Sequence, residues 1–245
     1  MSDHETAGRE PNTNRADWIR SLRRVNEQQE DSLADVFDAR WGDIDDMHRT
    51  FVDEFLSRLP PGGRVLDAAC GTGKYFEMVL SRGRLPVGVD HAGAYLEVAR
   101  AKFPQVPTQR HDLQNLPYRD EFDGVMCIDA MEMVPPEDWP IVLACFHRAL
   151  HRAGWMYLTI ELVAREQVRA LNEEARRSGL PVVAGEVFWK DEHGELYHFY
   201  PTKVWVRQWI AAAGFVVEKE AEGPWSDGYA YHHLLARAGA PTSRR

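Results

Sequence analysis

The stretch "RVLDAACGTGKYF", Arg64 to Phe76, is an apolar run that stops at an acid, crosses two glycines flanking a threonine, and resumes as a helix. A strand, a tight glycine turn and a helix N-terminus at one spot suit three ligand classes: a dinucleotide, a nucleoside triphosphate and a nucleoside sulfonium. The dinucleotide fingerprint G-x-G-x-x-G takes Gly71 and Gly73 but meets Phe76 where its third glycine belongs. The triphosphate loop needs GxxxxGK[ST], and "GTGKY" has the lysine without the spacing or the hydroxyl. Acids fit the third class. Asp90 stands 19 positions after Gly71, near the offset of about 20 at which an acid meets ribose hydroxyls, and a carboxylate accepts from both. Asp112 ends the next predicted strand and can accept from an adenine amino group. Asp67 sets negative charge beside a ligand cation. A sulfonium and an ammonium suit such a place better than a pyrophosphate.

The elements that must hold these residues follow from periodicity. Residues 1–14 are polar and read as a disordered leader. Residues 15–60 form an N-terminal helical cap, with Trp18, Ile19, Leu22 and Val25, then Leu33, Val36 and Phe37, then Met47, Phe51, Phe55, Leu56 and Leu59 at helical spacing. "PPGG" at 60–63 closes it. Strands are predicted at "RVLDAA", "LPVGVD", "PTQRHD", "FDGVMCID" and "GWMYLTIE". Between them lie helices over Lys74–Arg82, Ala92–Phe103 and about Pro136–Arg152. Such alternation means βαβ units and a parallel sheet covered on both faces. The rhythm breaks over 162–200, a charged helix (Val163–Ser178) followed by the aromatic segment "EVFWKDEHGELYHFY", expected to form a substrate lid. A helix at "PTKVWVRQWIAAAG" and strands "FVVEKEAEG" and "GYAYHHLLARA" restore the pattern, the closing pair expected as an antiparallel edge.

Composition narrows the function classes. The chain has 245 residues, 44% apolar, with a formal net charge of -9, so it carries no broad footprint for phosphate backbones and a nucleic-acid substrate is disfavoured. Its three cysteines, Cys70, Cys127 and Cys145, make no CxxC or CxxxCxxC pattern and read as reduced, mostly buried thiols of a cytoplasmic protein. There is neither a signal-peptide pattern nor an apolar run of about 18 residues that would span a membrane. No metal is expected: His147 and His151 stand at ligand spacing without a carboxylate partner, and "HGE" at 193–195 reads as a polar turn.

The segments "VLDAACGTG", "VGVD", "HDLQNLPYRDEFDGVMCIDAMEMV" and "FHRALHRAGWMYLTI" resemble the successive motifs of class I S-adenosylmethionine-dependent methyltransferases. The resemblance covers residues 60–161 strongly and 201–238 more loosely. It implies a Rossmann-like α/β fold, a mostly parallel seven-stranded sheet with the last strand antiparallel. The donor core would comprise 61–161 plus 201–239. It further implies S-adenosylmethionine as donor, with Asp67, Ala69, Gly71 and Gly73 around its methionine moiety and Asp129 near the same end. Asp90 would meet the ribose with His91 packed beside it, and Asp112 and Leu113 would meet the adenine.

"IDAMEM" after the fourth strand lacks the Asp/Asn-Pro-Pro-aromatic run of amino-directed nucleic-acid methyltransferases, which leaves a small-molecule acceptor. The aromatic lid favours a planar aromatic or heterocyclic one, methylated on oxygen, nitrogen or an electron-rich carbon such as that of indole. Glu132, Glu161 and His232 are the candidate catalytic residues; Trp189, Tyr197, His198 and Tyr229 are the candidate substrate contacts. Two rival readings stand beside this one. They are a nicotinamide-dependent oxidoreductase on a similar sheet and a catalytically silent S-adenosylmethionine-binding scaffold. The oligomeric state stays open, a homodimer among the options.

Overall fold

Asn14 opens the described chain, which covers residues 14–191, 194–226 and 228–239 of this computed structural model. Its side-chain carbonyl accepts from the Ala16 N–H and caps α1 (Arg15–Trp41), satisfying one first-turn donor. The rest of the expected leader lies outside the described residues. A second helix, α2 (Asp46–Ser57), starts at Asp45, whose carboxylate accepts from the Met47 and His48 N–H groups. Phe51, Val52, Phe55 and Leu56 follow at helical spacing and are buried against Tyr157 and Leu235 of the sheet.

The main sheet contains β1 (Arg64–Ala68), β2 (Leu85–Asp90), β3 (Thr108–Arg110), β4 (Phe122–Cys127) and β5 (Leu150–Val163). Between them run α3 (Phe76–Ser81), α4 (Gly93–Lys102) and α5 (Trp139–Ala149). The insert supplies α6 (Arg165–Arg177) and a separate antiparallel hairpin of β6 (Glu186–Asp191) and β7 (Gly194–Phe199). Then α7 (Lys203–Ala212), β8 (Phe215–Glu222) and β9 (Tyr229–Ala238) complete a seven-stranded sheet in the order β3-β2-β1-β4-β5-β9-β8. β1 through β5 pair in parallel, and β9 runs antiparallel to both β5 and β8. This is the expected seven-stranded sheet, mostly parallel with its last strand antiparallel. Among the described residues no helix is long and apolar enough to cross a membrane.

The closing pair forms the expected antiparallel edge, with β9 between β5 and β8. Burial explains the order: His232–Ala236 are all buried, whereas β8 reads "FVVEKEAE" and is mostly exposed, so the charged strand takes the solvent-facing edge. One local expectation changes. The helix expected to reach Arg152 ends at Ala149, where the chain turns directly into β5. His151 therefore stands exposed on a strand while His147 packs against Phe215, and their ligand-like helical spacing disappears.

Candidate active site

The strand order reverses between β1 and β4, and open α/β sheets bind ligands at the carboxyl ends of the strands beside such a point. Here the ends of β1, β2 and β4 open into a cavity of about 850 Å³, its solvent mouth included. Ala69, Gly71, Asp90, His91, Asp112, Leu113 and Asp129 all line it. Two of these, Ala69 (φ 65°) and Asp129 (φ 55°), hold left-handed backbone that non-glycine residues adopt at a cost, a strain that concentrates at functional sites. Gly71 (φ 51°) makes the turn from β1 toward α3.

Asp90 organises the floor. Its Oδ2 accepts from the Gly71 N–H at 2.8 Å and its Oδ1 from the Ala92 N–H at 2.9 Å, so one carboxylate ties the glycine turn to the start of α4. Each oxygen keeps a second lone pair for a ligand hydroxyl. Burial, and then the charge of Glu30, push its carboxyl up to about 6 against the pull of His91.

Asp67 and Gly73 were expected around the ligand but do not line the cavity. Asp67 is 1% exposed at the end of β1, its Oδ2 without a hydrogen-bond partner, and burial followed by repulsion from Asp90 pushes it up to about 8. Gly73 (φ 82°) is required by packing, since a Cβ there would meet the Phe76 ring at 2.7 Å. Phe76, the residue that breaks the dinucleotide spacing, is that buried ring, and it also fills the space beside Gly88.

The roof is α1. Arg23, Asn26, Glu30 and Phe37 line the cavity from this helix. Polar links seat it. Arg23 pairs with the buried Asp138, which also accepts from Gln114 at 3.1 Å; Glu30 pairs with His91, and Asp31 accepts from the Ala94 N–H at 2.9 Å. Asp38 accepts from the Thr72 hydroxyl at 2.5 Å and from Lys102 at 2.7 Å. Burial pulls the His91 imidazolium down, but the hydrogen-bonded Glu30 carboxylate outweighs it and raises the group to about 9. Glu30, Asp90 and His91 bring metal-ligand-type atoms within 4.8 Å of one another. Both Asp90 oxygens already take backbone N–H groups, and His91 is engaged by Glu30, so the trio acts as a clasp between roof and floor.

Arg23, Asn26 and Glu30 of α1 escaped the sequence reading, as did Tyr95, His111 and the Met133–Pro135 wall. A signal existed for α1: Arg23, Asn26 and Glu30 follow one another at helical intervals beside the apolar positions Ile19, Leu22 and Leu33. Asn26 is 4% exposed with its Oδ1 unpartnered, an acceptor left open at the cavity wall. With the vacant lone pairs of Asp90, it makes the wall fit a polar nucleoside ligand.

Outside the cavity lining, an aromatic and acidic group of side chains adjoins Asp129. Tyr231 donates to Asp129 at 2.5 Å, and the Asp129 N–H donates to the Thr159 hydroxyl at 2.8 Å. Tyr200 donates to Glu161 at 3.0 Å and accepts the Trp189 indole N–H at 2.8 Å, while the His198 ring stacks on Tyr200 with centroids 5.8 Å apart. Glu132 lies in a 3-10 turn (Met131–Met133), buried, its Oε2 unpartnered. Burial with repulsion from Asp129 pushes Glu161 up to about 7, and burial with Asp129 and Glu161 pushes Glu132 well above the usual carboxyl range. Burial holds His198 neutral, down to about 4.

Three expected residues fall outside this group. Tyr197 is buried, donates to Glu186 at 2.7 Å and packs edge-on against Trp18; Glu186 in turn receives Arg15 of α1 through two bonds of 2.9 Å. Tyr197 thus locks the hairpin to α1. His232 turns to the opposite face of β9 from Tyr231 and meets Glu220 of β8 at 2.9 Å, because strand side chains alternate. Tyr229, 42% exposed, touches only the edge of the Tyr231 ring among its aromatic contacts.

Comparison with known proteins places this geometry. Residues 65–154 match the family model for the methyltransferase domain. A ubiquinone biosynthesis O-methyltransferase of Hahella chejuensis is 32% identical over 124 residues, 48% of this chain and 51% of that one. The chain therefore spans about half the length of that curated relative. Among solved structures, a S-adenosylmethionine-dependent methyltransferase of Methanosarcina mazei superposes with a TM-score of 0.68 at 14% identity, covering 80% of this chain and 99% of that one. A 1,6-didemethyltoxoflavin-N1-methyltransferase of Burkholderia thailandensis, solved with 1,6-didemethyltoxoflavin and S-adenosylhomocysteine, gives 0.65 at 17% identity, over 95% and 94% of the two chains. Residues 65–154 thus match a methyltransferase domain, and the sheet around them has the fold of these solved S-adenosylmethionine-dependent methyltransferases.

Proposed function

We propose that the protein moves a methyl group from S-adenosylmethionine to a small aromatic or heterocyclic metabolite by in-line displacement at the methyl carbon. The observation that carries this reading is the cavity at the switch point, where Asp90 ties the glycine turn to α4 and keeps acceptor sites for ribose hydroxyls. Asp112 and Leu113 take the adenine, His91 packs beside the ribose, and Ala69, Gly71 and Asp129 border the methionine end. The donor supplies an activated methyl on a sulfonium, a good leaving group. What the chain adds is alignment, water exclusion and, where the acceptor carries a proton, a base. Well-oriented groups gain about 7–11 kcal/mol, and a positioned base about 10²–10⁴-fold.

The acceptor stands beyond Asp129, against Trp189, His198 and Tyr200. Glu132 and Glu161 are the candidate bases. The aromatic acceptor is supported by the stacked His198 and Tyr200 rings and by the relation to the Burkholderia thailandensis protein, named for methylation of 1,6-didemethyltoxoflavin. The dinucleotide alternative is opposed by the Phe76 ring, which occupies the space that a third fingerprint glycine would leave clear. The test is incubation with methyl-labelled S-adenosylmethionine and a panel of indoles, phenols and amines, read by mass spectrometry. A labelled product is expected. Donor binding unchanged by Asp90→Ala would overturn the ribose assignment.

A further inference from the structure

The acidic end of the site carries more charge than a base requires. Glu161 on β5 pairs across the ladder with Tyr231 on β9, and the Tyr231 hydroxyl donates to Asp129. Cross-strand partners stand about 4.5–5.5 Å apart at Cβ, so Asp129 and Glu161 flank the same ring. Glu132 adds a third carboxyl from its 3-10 turn. It is 5% exposed, and its Oε2 finds no partner among the described residues, an open acceptor inside the protein rather than a surface acid. Burial, and then the charge of Asp129, push both Glu132 and Glu161 above the usual carboxyl range. Lys74, whose charge acts on Asp129, is shared with Asp43 and Asp45. The cluster adjoins the donor cavity: Asp129 lines it, and so do Ala130 and Met133, close neighbours of Glu132 in the chain.

Buried like charges without a matching cation are expensive, and they are relieved either by protons or by a cationic ligand. The aromatic neighbours choose between these. Tyr200, with His198 stacked on it, and Tyr231 each turn a hydroxyl to a carboxylate, so rings and acids are direct neighbours. Aromatic faces and carboxylates together attract ammonium groups. The same acids repel a phenolate, the nucleophile that oxygen methylation of a phenol would need.

We propose that the acceptor is a basic amine carried on a planar ring system, its ammonium held among Asp129, Glu132 and Glu161, and that Glu161 takes its proton. This rests on the methyltransferase reading above and names the acceptor class within it. The step balances. The N–H bond of the ammonium breaks and its proton joins a Glu161 oxygen, leaving the nitrogen lone pair. That pair forms the new N–C bond as the methyl–sulfur bond breaks, and the bonding electrons stay on sulfur as a neutral thioether. One carboxylate, one ammonium and one sulfonium become one carboxylic acid, one methylated ammonium and one thioether.

The experiment is calorimetric titration of the full chain, saturated with S-adenosylhomocysteine, with two matched pairs: tryptamine against tryptophol, and tyramine against 4-(2-hydroxyethyl)phenol. Each amine is expected to bind at least about tenfold more tightly than its alcohol. That ratio should collapse in Glu161→Gln and recover in part in Glu161→Asp, with S-adenosylhomocysteine affinity unchanged in both as the control for folding. Labelled product from the amines should carry the methyl on nitrogen. Alcohols binding as well as amines, or a preference that survives in Glu161→Gln, overturns the inference. Wild-type protein that fails to bind S-adenosylhomocysteine overturns the donor reading and this inference with it. Binding of S-adenosylhomocysteine without an amine preference overturns this inference alone.

Discussion

The two N-terminal helices, α1 and α2, are neighbours in sequence and cover the same sheet by opposite means. α2 is seated by apolar volume: Val52 and Phe55 are 0% exposed, and the Phe55 ring lies so close to Gly124 that a Cβ there would meet it at 2.5 Å. α1 buries few apolar side chains for its length and is held by directed polar links to Glu186, Asp138, His91, Ala94 and Thr72. Apolar packing is non-directional and nearly indifferent to pH and salt, whereas ion pairs are screened and titrate. α2 is therefore a foundation. α1 is a roof whose seating follows charge, which suits the element that covers a ligand cavity.

The comparison breaks first at Phe55. Phe55→Ala should lower stability by about 3–5 kcal/mol in a denaturant melt, because a fully buried ring leaves a cavity. No single polar link of α1 should approach that figure. Next comes the floor that α1 covers. Asp90→Ala should weaken S-adenosylhomocysteine binding by roughly 10–100-fold in calorimetry, the range of a charge-assisted hydrogen bond. Bound ligand should also slow amide hydrogen exchange in α1 more than in α2; equal protection of both would erase the distinction between roof and foundation.

The pH sensitivity of folding is expected to reside largely at Asp67. Asp67, held at about 8 in the folded protein against an unfolded value near 3.8, binds its proton more tightly when folded. Its contribution is complete at low pH and is lost as pH rises through that window. Thermal melts should show the wild type losing stability between about pH 5 and about pH 8 more steeply than Asp67→Asn, by on the order of 1 kcal/mol or more. Parallel curves would move the sensitivity to the α1 links.

The smallest effect is expected at Glu30. His91 is raised to about 9 in the folded state, so its pair with Glu30 contributes below about pH 6.5 and fades as pH passes 9. Glu30→Gln should cost at most about 1 kcal/mol in a low-salt melt and less at high salt, and should flatten that alkaline limb.

Much of the donor side was legible because local sequence decides it. A glycine turn after a strand, an acid at the end of the next strand and another after the third are read along the chain, and Gly71, Asp90 and Asp112 all came to the cavity. Asp67 shows the limit: its position in the chain was right, but whether a strand-end acid faces the ligand or the core depends on the pleat and on what lies behind it. The acceptor side was less legible. Tyr197 and Trp189 lie in one aromatic segment, yet hairpin pairing sent the first to Glu186 under α1 and the second to Tyr200 beside Glu161. Likewise, strand alternation separated His232 from Tyr231.

Sequence by itself determined the alternation of strands and helices, the turn that cradles a ligand and the positions of the acids near it, because these rest on periodicity and on backbone conformations that few residues tolerate. Tertiary structure alone decided that β9 enters the sheet beside β5, that a polar stripe of α1 closes the cavity, and that Tyr231 and Tyr200 reach Asp129 and Glu161. Those outcomes depend on which faces are buried against one another, and on buried charges brought together by strands distant in the chain.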